Sequence, residues 1–157
     1  MARLRLIRRL LLRFRQVGAR RRLLAMEAVV CLLLARLTLI FIPFPRIARR
    51  LGDFVPPGDP RALRAKERAA AEAPLAVDIG WAVTRAARYV PFKAVCLPQA
   101  LAAHAMLKRR GIASVMHFGA AKGEDKPFDA HAWLDAAGIE VIGYPVAKQF
   151  AEIACFV

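Results

Sequence analysis

Apolar positions recur along the chain at two different periods, and the switch between them divides it. From residue 23 to 42 the chain is almost continuously apolar, interrupted by Glu27 and Arg36 and ended by Pro43 and Pro45. Residues 2–23 before it carry Leu4, Ile7, Leu11, Phe14 and Val17 near helical spacing among arginines, a basic amphipathic helix. Ile47–Leu51 predicts a further turn, and 52–60, with Pro56, Pro57 and Pro60, a loop. An exposed helix is predicted over 61–73, closed by Pro74, and a second over 77–89 with Ile79, Val83 and Ala86 inward and Asp78 as its cap. Residues 97–110 are the best-marked helix. Leu97, Leu101, Ala105 and Met106 or Leu107 make its stripe, Lys108, Arg109 and Arg110 fill its last turn, and Gly111 caps it. Beyond Gly111 the period shortens to two. Strands are predicted over 112–120, 128–135 and 139–144, the last two joined by a tight turn at 136–138. Helices first and a small antiparallel sheet after them make an α+β fold. The boundaries read as a basic apolar front over 1–52, a linker and exposed helix over 53–74, and a globular domain over 75–157.

Charge sharpens that division. The net charge is +14, and residues 1–50 supply +12 of it through 13 arginines against the single acid Glu27. The remainder is nearly balanced. A basic, apolar front admits contact with a membrane surface or nucleic acid, or simple docking on the domain through its leucines. For residues 23–42, a helix packed on the domain, a membrane-associated helix and a true span all remain open. Arg36 near the centre opposes the span, and no small-residue cleavage site suggests a signal peptide. Residues 1–42 are therefore the candidate for peripheral membrane contact, and no nucleic acid is expected as partner.

The candidate chemistry lies in the domain. Three cysteines (Cys31, Cys96 and Cys155) are too few and too scattered for a disulfide framework and suit a reducing, cytoplasmic setting. No Cys-x-x-Cys or His-x-x-x-His spacing is present, so no metal is expected. Cys96 stands at the predicted head of the 97–110 helix, where unpaired N–H groups and the positive end of the dipole favour a thiolate and an oxyanion. Gln99 is a candidate additional donor. His131 sits in an apolar, alternating strand between the small Ala130 and Ala132, with Trp133 on its face as shield or packing. His104 and His117 are competing bases. His104 is about 12 Å from Cys96 along the helix, too far to be its partner.

Cys96-Leu97-Pro98-Gln99-Ala100-Leu101-Ala102-Ala103, then Leu107 to Ile112, then Phe128-x-Ala130-His131-Ala132-Trp133-Leu134 resemble the lasso-peptide leader peptidases, transglutaminase-like B proteins of the papain-like cysteine protease superfamily. The likeness covers roughly residues 75–145, and 27–52 looks similar to the family's leading region. The resemblance implies a helix bearing Cys96 packed on a small antiparallel sheet bearing His131. It implies a hydrolase that cuts a ribosomally made precursor at the leader–core junction, with Cys96 as nucleophile and His131 as base. It also implies a separate leader-recognition protein and an ATP-dependent macrolactam synthetase as partners. No cofactor is required of the peptidase. A transglutaminase-like acyl transferase and a non-catalytic adaptor are the alternatives. One departure stands out. The family places an Asp about a dozen residues after its histidine, where this chain has Gly143 or Tyr144. Gly143 could orient an imidazole only through its backbone. Asp129 is the nearest acid on the His131 face, and Asp135 and Glu140 lie nearer the turn.

Overall fold

The computed structural model describes residues 18–67, 70–123 and 127–157. The basic helix predicted over 2–23 therefore lies outside the described residues up to residue 17. The first described helix, α1, runs Ala19–Phe41. Its interior holds no glycine or proline and is dominated by Ala, Leu, Met and Arg, which lose little side-chain freedom in a helix. Pro43 stops it and caps α2, Phe44–Leu51. In the stretch 53–74, predicted as a linker and exposed helix, Phe54–Val55 form a short strand, β1, that the sequence reading lacks, and Pro60–Glu67 form α3 where the helix over 61–73 is predicted. Pro74 does not close a helix. It opens α4, Ala73–Ala87, from the first turn, where its missing N–H is no loss. Asp78 consequently falls inside α4 rather than capping it, and takes an ion pair from Arg21 at 2.7 Å.

Helix α5 spans Cys96–Lys108 and ends as predicted, with Gly111 at φ +71°. Four strands follow: β2 Ser114–Lys122, β3 Phe128–Ala136, β4 Ile139–Ile142 and β5 Ala151–Phe156. Ala137 and Gly138, both at positive φ, make the two-residue turn between β3 and β4. The sheet order is β1-β5-β2-β3-β4, with every neighbouring pair antiparallel. The C-terminal strand thus lies inside the sheet, between β1 and β2.

Each face of the sheet has its own cover. Met116, Ala132, Leu134, Ala136, Ile142 and Phe156 join one core with α1, α4 and α5. Val115, Cys155 and Val55 join a smaller core with Ala62 of α3 on the opposite face. Helix α1 lies across α4 and α5, burying Leu24, Ala28, Cys31, Leu32 and Ala35. Glu27 fastens it there. Its carboxylate accepts hydrogen bonds from Arg109 and from Arg110 (2.6 and 2.9 Å), and the Arg110 bond, ahead of the others, holds its pKa below the usual carboxylate value. Glu27→Gln exchanges charge-assisted bonds for neutral ones at most, and is expected to cost about 1–2 kcal/mol in urea unfolding, with the loss smaller at high salt.

Candidate active site

Cys96 is the first residue of α5, preceded by Val95 in extended conformation, so its thiol stands at the helix N-terminus as the sequence predicts. It is half-buried, whereas Cys31 and Cys155 are buried. The Gln99 side chain is engaged locally. Its amide donates to the Ala94 carbonyl at 2.7 Å and closes the turn ahead of the helix, so it braces Cys96 rather than pointing a free donor at it.

His131 lies on β3 opposite Gly119 of β2. Its Nε2 is 2.7 Å from the carbonyl oxygen of Gly143. A carbonyl only accepts, so Nε2 carries the proton and donates, and Nδ1 keeps the lone pair. This is the backbone orientation that the Gly143 position predicts in place of an acid. Gly143 sits at φ +88°, close enough to β3 that a Cβ there would lie 2.7 Å from the Ala132 carbonyl and 2.8 Å from Trp133 Cβ. Asp129, the acid on the His131 face, is exposed, and no hydrogen bond joins it to His131 among the described residues.

Strand alternation decides where the imidazole points. The β2–β3 register runs without a shift from Ser114 to Lys122, so even-numbered β3 residues share one face. Ala132 and Leu134 enter the core beneath α5, which turns His131, Trp133 and Asp135 to the other face. The hydrogen bond between Cys96 and His131 that the sequence reading requires is not formed. No hydrogen bond joins the two among the described residues, because burying the Ala132–Leu134 face against α5 aims His131 away from that helix.

On its own face His131 is enclosed by rings. Trp133 stacks on it at 5.8 Å and 23°, Phe150 lies at 5.2 Å, and His117 stacks on the far side of Trp133 at 5.5 Å and 3°. Trp133 is thus packing between two histidines as well as a shield. The acids gather on His117 instead. Its Nδ1 lies 2.6 Å from Glu152 and its Nε2 3.3 Å from Asp135. Asp135, which the sequence places near the β3–β4 turn, is buried and accepts from Tyr144. Burial, ahead of that bond, pushes the Tyr144 phenol well above its ordinary pKa, so it stays a donor. Sequence reading misses this group because Glu152 belongs to β5, whose place beside β2 no local pattern announces. His117, Glu152 and Cys155 bring donor atoms within 4.8 Å of one another, a set that a borderline-soft cation fits by chemistry. Here, however, His117 Nδ1 is already spent on Glu152. Cys155 is fully enclosed, its Sγ 3.5 Å from the Val55 carbonyl, which removes it as a nucleophile for a peptide.

His104 is placed away from this chemistry, its Nδ1 2.9 Å from Ser114 Oγ. Burial, and secondarily Lys108, lower its pKa to about 4. The unfolded chain protonates this imidazole near 6.5 while the folded chain resists until about 4. Its contribution to stability is therefore complete above pH 6.5 and is lost as the pH falls toward 4. The urea midpoint is expected to fall across that window, and to fall less in His104→Gln.

A family model described as the transglutaminase-like superfamily matches residues 38–155. The chain belongs to that superfamily. The match begins within α1 and ends in β5, so it takes in all of the sheet but its last residue, Phe156, and the helix that bears Cys96. No curated protein and no solved structure matches the chain. Transglutaminase-like membership supports a papain-like cysteine peptidase or acyltransferase kind of function. The mixed helix-and-antiparallel-sheet architecture agrees with it.

Proposed function

We propose that this protein is a cysteine peptidase that removes the leader from a ribosomally synthesised lasso-peptide precursor. The observation that carries the reading is Cys96 at the head of α5 in a transglutaminase-like chain. The Cys96-Leu97-Pro98-Gln99 run and the Ala130-His131-Ala132-Trp133 run narrow the substrate class by their resemblance to leader peptidases. In the reaction, the Cys96 thiolate attacks the last carbonyl of the leader. First-turn N–H groups of α5 stabilise the oxyanion. The core's amino group leaves as a neutral amine with a proton from His131. Water then attacks the thioester, His131 takes a proton from it, and the leader departs as a carboxylic acid. The Gly143 carbonyl holds Nε2–H, which leaves Nδ1 as the atom that exchanges protons. This chemistry requires Nδ1 within reach of Cys96 Sγ. With His131 on the sheet face away from α5, that contact demands a rearrangement of β3 against α5 rather than a tightening of an existing contact, so the rate of His131→Ala decides whether His131 is the base. A leader-recognition protein delivers the precursor, and a separate macrolactam synthetase closes the ring.

Incubating the chain with a precursor and its leader-recognition protein, and weighing the products, tests the reading. Hydrolysis gives leader and core whose masses sum to the precursor plus one water. A leader that gains the mass of an added amine instead identifies amide transfer, and an uncleaved precursor overturns the peptidase.

A further inference from the structure

Past its basic first turn, helix α1 carries apolar side chains on opposite sides with only Glu27, Arg36 and Thr38 between them, yet only one side is covered. Projected at 3.6 residues per turn, Leu23, Met26, Val30, Leu33, Leu37 and Phe41 fall in an arc of about 80° on the side opposite Ala28, Leu32 and Ala35. All six are exposed, from Leu37 at 41% to Phe41 at 76%, and Leu34 and Ile40 beside them are exposed too. A helix apolar on opposite sides belongs inside a protein or against lipid, and a patch of this extent on a monomer marks an interaction surface. Around it the charge is one-sided. Arg20, Arg36, Arg46, Arg49 and Arg50 are exposed beside the helix or at its ends, and Glu27, the single acid among residues 1–50, is already held by Arg109 and Arg110.

We propose that this face seats the protein on an anionic lipid bilayer, with α1 lying flat in the membrane surface. Charge selects the occupant. A second copy would bring two fronts of +12 together, whereas anionic headgroups neutralise the arginines while the acyl boundary takes up the leucines. The helix is long and apolar enough to cross a membrane, with 23 residues and a mean hydropathy of 2.3 over its most apolar window. Packing holds it flat instead. Spanning would pull Glu27 off Arg109 and Arg110, strip Leu32 and Cys31 out of the core, and part Arg21 from Asp78 and from the Trp81 ring 5.4 Å away. In-plane seating keeps all of these and covers only what is bare. Seated so, the surface leaves the opposite face of the sheet, with His131, turned away from the bilayer.

Sedimentation of the full chain with vesicles tests the proposal independently of any peptidase assay. Vesicles of phosphatidylcholine containing one third phosphatidylglycerol are expected to pull the protein down, pure phosphatidylcholine to do so about tenfold less well, and high salt to release it. The variant Val30→Ser/Leu33→Ser/Leu37→Ser, checked for an unchanged unfolding transition, is expected to bind the anionic vesicles about tenfold more weakly. Undiminished binding by that variant would assign adhesion to the arginines alone and overturn the seated helix. So would absence of binding to either vesicle, or light scattering that shows a stable dimer.

Discussion

Replacing Cys96 by Ala is expected to abolish the proposed leader removal, with kcat/KM falling about ten-thousandfold or more while the unfolding transition stays in place. The size follows from losing the nucleophile outright, since no neighbouring thiol can substitute: Cys31 and Cys155 are both buried. The intact fold follows from what Cys96 does structurally. Its Sγ accepts no hydrogen bond from described residues, and the helix start is secured by Gln99 on Ala94 and by the burial of Pro98 and Ala100. His131→Ala is expected to lose a comparable factor, and the double variant little more than either single one, because groups acting in one proton-transfer unit are far from additive. Quantifying leader release by mass spectrometry for the three variants checks this. A His131→Ala protein that keeps its rate would show that the base is elsewhere. A Cys96→Ala protein that still trims its precursor would end the proposal.

Gly143→Ala is the second large effect, and it acts on stability and on the site together. At φ +88° an alanine is strained by about 1–3 kcal/mol, and its Cβ would press against the Ala132 carbonyl and Trp133. Neither neighbour has room to give, since one is ladder backbone and the other is pinned between two histidines. The expected cost is about 2–4 kcal/mol, seen as a lower urea midpoint at unchanged slope. The same substitution displaces the carbonyl that receives His131 Nε2–H, so the peptidase rate at a temperature where the variant is folded should fall as well. Gly119→Ala serves as the comparison. It crowds the Trp133 ring at 2.7 Å without touching Gly143, so it should cost stability with a smaller loss of rate per unit of destabilisation.

The sequence reading succeeds where the determinants are local. Helix α5 is legible because its stripe, its basic last turn and Gly111 agree, and the β3–β4 hairpin because Ala137-Gly138 separates two alternating runs. The role of Gly143 is legible too, because a hairpin closed at 136–138 carries the chain back to His131 after a dozen residues. What escapes depends on pairings between distant segments. Strand β1 is two residues inside a proline-rich stretch and exists because Val157 and Asp53 exchange backbone hydrogen bonds beside it. Strand β5 meets β2 across a long loop, so the Glu152–His117 pair has no local signature. The direction of His131 escapes for another reason. Ala132 and Leu134 on one face of β3, and His131 and Trp133 on the other, are both credible inward sets, and only the packing of α5 chooses between them. Pro74 shows the same ambiguity at a helix end, since proline closes one helix and opens the next with equal ease.

The interior position of β5 sets an order of events at the ribosome. Residues 151–156 must emerge before β1 and β2 acquire the neighbour that lies between them, so this sheet closes only after α1 to α5 have been made. Until then the nascent chain carries α1 with its outer face bare and an unfinished sheet beneath α5, and pairings across about a hundred residues form slowly. Synthesis close to a bilayer, or under a chaperone that shields residues 19–41, would spare that interval its hazard of clumping.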